Sequence, residues 1–402
     1  MSSNSVCIIG AGISGLTVAN NLVNAGIEVT LVERNPYPGG RALFYGCKAS
    51  DSCVHCGVCL IREAVMNFRR THNIKSQFSS ELTGFSRSNG EGILLEIETH
   101  PNIIDWRLCT ECGKCIEACP ENAVKIAPGW KYYVDSGCND CGKCVDVCPE
   151  GAIALKRESM RESIHADCLV IASGFKPFDP SVNRKWSYGE SPRIITGSDL
   201  EELFYTENYL PGVVKKSDCK RIAFLQCVGS RNVTEGGEYC SRVCCAYALQ
   251  MAGRLKDEFP HTEIDFYYMD IQHFGKDFES FFGDVSRKVN FINSNPITFS
   301  VDRADRPVVR YESITEQKDK EEAYDLVVLS NGIAPGDKNE ALAKMTGLSL
   351  DKSGFLYAMN GMGGVFVTGA CKQPMRIEDC IEDATGVTGE VLSYLEERVQ
   401  VK

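Results

Sequence analysis

The sequence predicts an α/β protein with two nucleotide-binding-type units and a cysteine-rich insertion in the first unit. Three observations predict this class. Residues 5–9 form a short apolar run that leads into a glycine turn, an amphipathic stretch at 14–24 and a second apolar run at 27–33, as at the start of a βαβ unit. A similar alternation of strand and helix signals begins at residue 221. Between 106 and 156 the composition changes and cysteines dominate.

These signals divide the chain into five predicted segments. Three segments together form the first unit, one is the insertion and one is the second unit. In chain order they are 1–105 (first unit), 106–156 (insertion), 157–215 (first unit), 216–335 (second unit) and 336–402 (first unit). In the first segment, residues 81–98 predict a hairpin with its turn at Ser88-Asn89-Gly90. In the second unit, a helix is predicted at 247–259.

Composition and charge limit the classes of function. The 402 residues are 43% hydrophobic and 24% charged, which allows two or three domains with their own cores. The net charge of -11 argues against non-specific nucleic-acid binding. The N-terminus has no basic region followed by an apolar one, and no apolar run approaches the roughly 18–20 residues of a membrane span. We therefore expect a cytoplasmic protein that reaches a membrane only through a partner.

The first chemical motif is the glycine turn Gly10-Ala11-Gly12-Ile13-Ser14-Gly15, which lies between the first strand and the first helix. Gly10 permits a tight turn, Gly12 lets a pyrophosphate approach the backbone, and Gly15 allows the helix to pack closely on the strand. The helix N-terminus favours the phosphate charge. Glu33, at the end of the next strand, can accept hydrogen bonds from ribose hydroxyls. The motif therefore predicts a dinucleotide site.

The residues that follow this motif indicate which dinucleotide is bound. Arg34 and the turn Gly39-Gly40-Arg41 come next, and the stretches 170–174 and 364–370 lie further on. This pattern resembles the two-dinucleotide-binding flavoproteins of the thioredoxin reductase type, whose first nucleotide motif holds FAD. That family usually has aspartate where this chain has Ala370 before Cys371, so Cys371 is a candidate contact of the isoalloxazine. The resemblance implies FAD bound by Gly10, Gly12, Ser14, Gly15, Glu33, Arg34, Gly40, Arg41, Gly174 and Gly369.

Cysteine is the unusual residue, with 21 copies, and in a chain without an export signal so many cysteines are more typical of metal binding than of disulfides. Eight of them form two C-x₂-C-x₂-C-x₃-C-P runs in the insertion. In two-cluster ferredoxins the fourth cysteine of each run ligates the other cluster. The spacing therefore predicts one 4Fe–4S cluster on Cys109, Cys112, Cys115 and Cys148, and a second on Cys138, Cys141, Cys144 and Cys119. Zinc is the alternative.

Two further groups of four cysteines lie outside the insertion. Cys47, Cys53, Cys56 and Cys59 follow the Gly39-Gly40-Arg41 turn, and we interpret them as a third 4Fe–4S site. Zinc binding and unligated thiols are the alternatives, and His55 is expected to lie at the surface or beside the ligands. The last group is Cys227, Cys240, Cys244 and Cys245. It replaces the glycine loop that a nicotinamide site in the second unit would need, so we expect no such site. A disulfide or buried thiols are its alternatives.

The last spacing, C-x₁₂-C-x₃-C-C, together with the flavin motif and the eight ferredoxin-type cysteines, resembles the HdrA family, the flavo-iron–sulfur component of heterodisulfide reductase and its relatives. The resemblance implies a thioredoxin-reductase-like FAD core, an inserted two-cluster ferredoxin module and a cluster on Cys227, Cys240, Cys244 and Cys245. The chain lacks the long extra ferredoxin extensions of the larger members, and its Cys47 group is richer in cysteine. It thus looks like a short member of the kind found in sulfur-metabolism or benzoyl-CoA reductase complexes. Of the remaining cysteines, Cys7 and Cys168 are expected in the core.

Together these features predict an oxidoreductase subunit that relays electrons between FAD and up to four 4Fe–4S clusters. Flavin-based electron bifurcation is the sharper form of this hypothesis and rests on family analogy. Other redox subunits, ferredoxin and an oligomeric assembly are the expected partners. No nucleophile–base pair is recognisable, so no catalytic residue is predicted. The alternatives are an NAD(P)H-dependent flavin reductase that acts alone and a non-enzymatic cluster carrier or assembly protein.

Overall fold

The structure is a computed structural model, and it describes residues 4–88, 92–100, 102–155, 158–234, 237–272, 276, 278–296, 298–357 and 362–401. The two strands of the predicted hairpin at 81–98 are present, and the turn residues Asn89 and Gly90 lie outside the described residues. Among the described residues, no helix is both long enough and apolar enough to cross a membrane.

The β-strands of the described residues are numbered in chain order. They are β1 (Ser5–Ile9), β2 (Glu28–Val32), β3 (Ile74–Gln77), β4 (Ser80–Ser88), β5 (Gly92–Thr99), β6 (Val124–Ile126), β7 (Tyr132–Val134), β8 (Met160–Ala166), β9 (Cys168–Ile171), β10 (Phe175–Pro177), β11 (Ile194–Thr196), β12 (Arg221–Val228), β13 (Glu263–Tyr268), β14 (Asn290–Asn293), β15 (Thr298–Val301), β16 (Pro307–Ser313), β17 (Lys318–Ala323), β18 (Leu326–Asn331), β19 (Ile333–Pro335), β20 (Ser349–Leu350), β21 (Leu356–Tyr357) and β22 (Val365–Val367).

The α-helices follow the same convention. They are α1 (Ile13–Asn24), α2 (Val58–Arg70), α3 (Lys114–Ala118), α4 (Lys143–Asp146), α5 (Gly197–Tyr205), α6 (Cys244–Glu258), α7 (Phe278–Ser286), α8 (Asn339–Thr346) and α9 (Ile377–Val401).

The first unit is built on a parallel sheet with the strand order β22-β9-β1-β2-β3. Both faces of this sheet are covered. On one face, Val6 and Ile8 of β1 belong to the core that includes α1, α2 and α9, whereas Cys7 faces the core shared with the antiparallel sheet β4-β5-β8. This alternation is what a strand of a buried parallel sheet requires. Cys7 and Cys168 are fully buried, as the sequence predicts.

The second unit repeats the parallel architecture, with the strand order β11-β18-β12-β13-β14 and the antiparallel meander β15-β16-β17 beside it. One structural difference from the predicted segments concerns residues 157–215, all of which the sequence pattern assigns to the first unit. Strand β11 pairs with β18, and Leu200 and Phe204 of α5 pack in the core of the second unit. The second unit therefore begins before residue 216. Strand β11 has only three residues, which is too short for a periodic pattern to reveal its partner.

The insertion contains two copies of one local structure. Each copy has a short helix, α3 or α4, that begins directly after a glycine with a left-handed backbone, and the hairpin β6-β7 lies in the same segment. The insertion is anchored to the first unit by aromatic rings. Trp130 lies 5.8 Å from Phe68 and 5.3 Å from Phe78, and Tyr133 lies 4.7 Å from Tyr37 between ring centroids. These contacts hold the insertion against α2, the end of β3 and the loop that follows β2.

Candidate functional site

A cavity of about 790 Å³ lies between the two parallel-sheet units. Its walls come from the glycine turn before α1, the loops after β2 and β9, the first turns of α5 and α6, helix α7 and the start of α9. The volume is in the range of cavities that enclose cofactors. The carboxyl ends of β1, β2 and β9 all point to this cavity, which is where open parallel sheets bind ligands.

The glycine turn has the close packing that the sequence predicts. Gly10 has a left-handed backbone with φ of 105°, and a side chain there would overlap the carbonyl oxygen of Ala172. A side chain at Gly15 would overlap the carbonyl oxygen of Gly10. At Gly12, by contrast, an added Cβ would meet no atom within 4 Å. The turn is therefore closed toward the protein and open toward the cavity, so its backbone and the N-terminus of α1 are accessible to a phosphate.

The carboxylate of Glu33 holds the glycine turn in place through hydrogen bonds. One of its carboxylate oxygens accepts a hydrogen bond of 2.7 Å from the backbone N–H of Ala11, and the other accepts from the backbone and side-chain N–H groups of Asn35, both at 2.8 Å. Burial raises the pKa of Glu33, and the hydrogen bonds from Asn35 and Ala11 oppose that rise. Glu33 also lines the cavity, so the predicted contact with ribose hydroxyls stays a proposal that the geometry permits.

Most of the other predicted flavin-site residues lie on the cavity wall. Ser14, Arg34, Gly40, Arg41 and Gly174 line it, and so do Gly10 and Gly12. Gly15 and Gly369 do not line the cavity and act through packing instead. A side chain at Gly369 would overlap the hydroxyl of Ser14, and Ser14 itself lines the cavity.

Cys371, the residue that stands near the family's usual aspartate, is buried and turned away from the cavity. Its thiol donates to the carbonyl oxygens of Thr368 and Ile171, at 3.2 and 3.6 Å. The backbone N–H of Gly369 and the hydroxyl of Thr368 instead donate to Asp383 on α9, each at 2.8 Å. The thiol of Cys371 is thus hydrogen-bonded to the protein backbone, whereas Cys380 lines the cavity.

The eight cysteines of the insertion separate into the two predicted sets. One small cavity is lined by Cys109, Cys112, Cys115 and Cys148, and a second is lined by Cys119, Cys138, Cys141 and Cys144. The fourth cysteine of each run therefore faces the first three of the other run. Such crossed sets of four thiolates fit two cubane clusters.

Backbone N–H groups donate hydrogen bonds to Cys119 and Cys148, the fourth cysteines of the two runs. The N–H of Ala123 donates to the sulfur of Cys119 at 3.2 Å, and the N–H of Ala152 donates to the sulfur of Cys148 at 3.3 Å. Burial raises the pKa of Cys119, but its backbone hydrogen bonds outweigh burial and lower the pKa overall. The bonds to Cys119 favour its thiolate form, which is the form that binds metal. Within the described ranges, no three His, Cys, Asp or Glu side chains converge on a site for one metal ion.

The third cysteine group lies at one wall of the large cavity. Cys53 and Cys56 line the cavity, Cys47 is exposed, and Cys59 is exposed in the first turn of α2. Burial raises the pKa of Cys56, and the nearby charge of Lys48 opposes this. His55 has a left-handed backbone, and its N–H donates to the sulfur of Cys53 at 3.4 Å. The structure thus brings two of the four thiols to the cavity.

The fourth cysteine group lies at the end of β12, in the segment that follows it and at the start of α6. Cys227 near the end of β12 has a left-handed backbone, and Cys244 and Cys245 are the buried first residues of α6. Burial raises the pKa of Cys227 to about 12, and the negative charges of Cys245 and Cys240 add to this effect. A positively charged metal centre would oppose this rise in the pKa of Cys227.

This segment differs from the equivalent turn of the first unit. Residues 10–12 separate β1 from α1, whereas residues 229–243 separate β12 from α6. The predicted helix at 247–259 begins at Cys244 in the structure, because Cys244 and Cys245 continue its buried face with Ala248 and Leu249. Val243 and Ala246, which flank these two cysteines, line the cavity.

Sequence reasoning missed several residues of the cavity wall. Lys48 and Glu201 form a buried ion pair of 2.7 Å, and both line the cavity. Tyr247 donates to the carbonyl oxygen of Asn331 at 2.8 Å, and the thiol of Cys244 approaches the same oxygen at 4.0 Å.

A signal for Glu201 exists in the sequence, because it lies among Gly197, Leu200 and Phe204 on the apolar face of a helix.

Comparison with known proteins agrees with this geometry. The family model for pyridine nucleotide-disulphide oxidoreductases matches residues 4–384. The chain belongs to the pyridine nucleotide-disulphide oxidoreductase family. Thioredoxin reductase of T. acidophilum shares the fold, with a TM-score of 0.56 at 14% identity over 98% of this chain and 99% of that one. The predicted fold class, a thioredoxin-reductase-like α/β core with a cysteine-rich insertion, is confirmed.

Curated relatives confirm the second resemblance, which is to the HdrA family. The HdrA component of the H(2):CoB-CoM heterodisulfide,ferredoxin reductase of Methanothermobacter thermautotrophicus is 31% identical, over 94% of this chain and 62% of that protein. The HdrA component of the ferredoxin:CoB-CoM heterodisulfide reductase of Methanosarcina mazei is 29% identical, over 98% of this chain and 53% of that protein. The chain thus spans between about half and three-fifths of the length of these relatives.

The packing at the glycine turn makes a prediction that needs no bound cofactor. Gly15→Ala places a methyl group on the carbonyl oxygen of Gly10, so we expect a loss of about 1–3 kcal/mol in the free energy of unfolding. Gly12→Ala is the matched control, because its methyl group has open space. Anaerobic urea unfolding of the apoprotein measures both, and equal stabilities of the two variants would contradict the turn geometry.

Proposed function

We propose that the chain is an electron-transfer unit of an oxidoreductase, with FAD in the large cavity and iron–sulfur clusters on its cysteine groups. One observation carries the proposal. The same cavity is lined by the glycine turn, by Cys53 and Cys56 on one wall, and by the flanks of Cys244 and Cys245 on another. A flavin in this cavity would lie near two groups of thiols, and each group belongs to a different unit.

The residues of the first unit fit a dinucleotide. The open Gly12 and the N-terminus of α1 would hold the pyrophosphate, while Glu33 would accept from the ribose and Arg34 and Arg41 would supply positive charge. Arg41 is held in place because its guanidinium donates to the carbonyl oxygen of Phe175 at 3.0 Å. Bound FAD supplies an exchange of electrons in pairs with one partner and singly with others.

The cysteines fit clusters to different degrees. The two crossed sets in the insertion match a two-cluster ferredoxin, and they would conduct electrons between the surface and the first unit. The Cys47 and Cys227 groups are the proposed third and fourth 4Fe–4S sites. A relative in Methanocaldococcus jannaschii is named as an iron-sulfur subunit of CoB--CoM heterodisulfide reductase, which is in keeping with this assignment.

The second unit argues for partner proteins as electron donors. The family takes its name from pyridine nucleotides, but the long segment 229–243 stands where a nicotinamide site would have a short glycine loop. Relatives are named as subunits of heterodisulfide reductases, and the two names given above include ferredoxin. We therefore propose that other redox subunits, among them a ferredoxin, exchange electrons with this chain inside an oligomeric complex in the cytoplasm.

Electron bifurcation is the finer form of this proposal. It requires that electrons leave one flavin by two separate routes. The cysteine groups on two walls of the cavity support such routes, because one belongs to the loop before α2 and the other to the start of α6.

The flavin assignment predicts the effect of Gly12→Asp. A carboxylate at this open position would occupy the phosphate site and repel its charge, so we expect flavin content to fall from about one per chain to less than about one tenth. The measurement is the visible absorbance of the purified protein together with its iron content. A yellow variant with full flavin content would show that the dinucleotide lies elsewhere.

The crossed arrangement predicts which cysteine variants share an effect. Cys148→Ala and Cys109→Ala should each remove about four irons and the same electron paramagnetic resonance signal, whereas Cys138→Ala should remove the other signal of the insertion. Cys168→Ala is the control and should lose no iron, because Cys168 lies in an apolar core. If Cys148→Ala removes the same signal as Cys138→Ala, each run holds its own cluster and the crossed arrangement is wrong.

A further inference from the structure

The loop that carries three of the Cys47 group, residues 47–56 and here called the cysteine loop, is held by the second unit although it belongs to the first. Gly46, the residue directly before the cysteine loop, packs against α5. A side chain at Gly46 would overlap the backbone of Phe204, so only glycine allows this approach. The loop therefore cannot move away from α5 without losing a close backbone contact.

The first attachment beyond this contact is the ion pair between Lys48 and Glu201. The ammonium and carboxylate groups are 2.7 Å apart, and their side chains are only 2% and 7% exposed. Lys48 also donates to the carbonyl oxygen of Gly46 at 3.3 Å. Removing one partner of such a pair leaves a buried charge without compensation, which is strongly unfavourable. The pair therefore ties Lys48, the neighbour of Cys47, to the helix of the second unit.

Helix α6 supplies two more attachments. The side chain of Gln250 donates to the carbonyl oxygen of Val54 at 3.0 Å, and Arg254 donates to that of Ala49 at 2.8 Å. Arg254 is itself held by a 2.9 Å hydrogen bond to the hydroxyl of Tyr209. The N-terminus of the same helix carries two cysteines of the fourth group. A single rigid element thus contacts both cysteine groups that flank the cavity.

We propose that Glu201, Gln250 and Arg254 are positioning residues of the metal site on the Cys47 group, and that this site is assembled only when the two units are docked. The inference rests on the proposed function, since it takes the Cys47 group to hold a 4Fe–4S cluster. It adds that the site is shared between units. Because α6 carries Cys244 and Cys245 as well, it fixes the separation of the two outer cluster sites across the flavin cavity.

The test is Glu201→Gln in the full chain, purified without oxygen. Glutamine keeps the size of the side chain but leaves Lys48 buried without a counter-charge. We expect the variant to lose about four irons, or to keep them with a shifted midpoint potential of one cluster signal, while the two insertion signals stay unchanged. Glu202→Gln is the matched control, because Glu202 is the next residue of the same helix and is less buried. It should behave as the parent protein.

The iron content and midpoint potentials of these variants decide the inference. If Glu201→Gln keeps all its iron and every midpoint potential, Glu201 does not position the site and the inference is wrong. Should that variant not fold, Gln250→Leu is measured in the same way and with the same criterion. Cys59→Ala separates the two levels of the argument, because a parent-like iron content in that variant would refute the cluster at the Cys47 group itself. Loss of iron in Cys59→Ala with none in Glu201→Gln would refute only the positioning role.

Discussion

The glycine turn between the first strand and the first helix has no room for a side chain on its protein side, and the remainder of the cavity is arranged around it. Gly10 and Gly15 bring two backbone segments into direct contact, and the carboxylate of Glu33 binds the turn through Ala11. This leaves Gly12 and the N-terminus of α1 as the open surface. The same cavity is lined by residues of the cysteine loop and of α6.

Local spacing allowed much of this site to be predicted from the sequence. The role of Gly15 follows from a steric limit against Gly10, five residues earlier, and the two cysteine sets of the insertion follow from a repeated spacing. The attachments of the cysteine loop could not be predicted in this way. Glu201 and Gln250 lie far from residues 47–56 in sequence, and only the docking of the second unit brings them together. The membership of β11 in the second unit could not be predicted either, because only its pairing with β18 shows to which sheet its three residues belong.

The two units show how one scaffold serves two purposes. Both have a parallel sheet in which a central strand is followed by a helix at the cavity. The first unit joins them through residues 10–12, which leaves backbone N–H groups free for phosphate. The second joins them through residues 229–243 and begins its helix with two buried cysteines. In the function that we propose, this exchange of a phosphate-binding turn for a thiol group separates an electron-transfer unit from a nicotinamide-dependent reductase.

In the proposed function, electrons reach the flavin through proteins and clusters rather than from a nicotinamide. The most direct test is anaerobic stopped-flow reduction of the purified chain, loaded with FAD and iron, by NADH and NADPH in one series and by reduced ferredoxin in another. We expect rapid bleaching of the flavin by reduced ferredoxin and no comparable reaction with either nicotinamide. Rapid reduction by micromolar NADH, unaffected by Cys244→Ala, would contradict it.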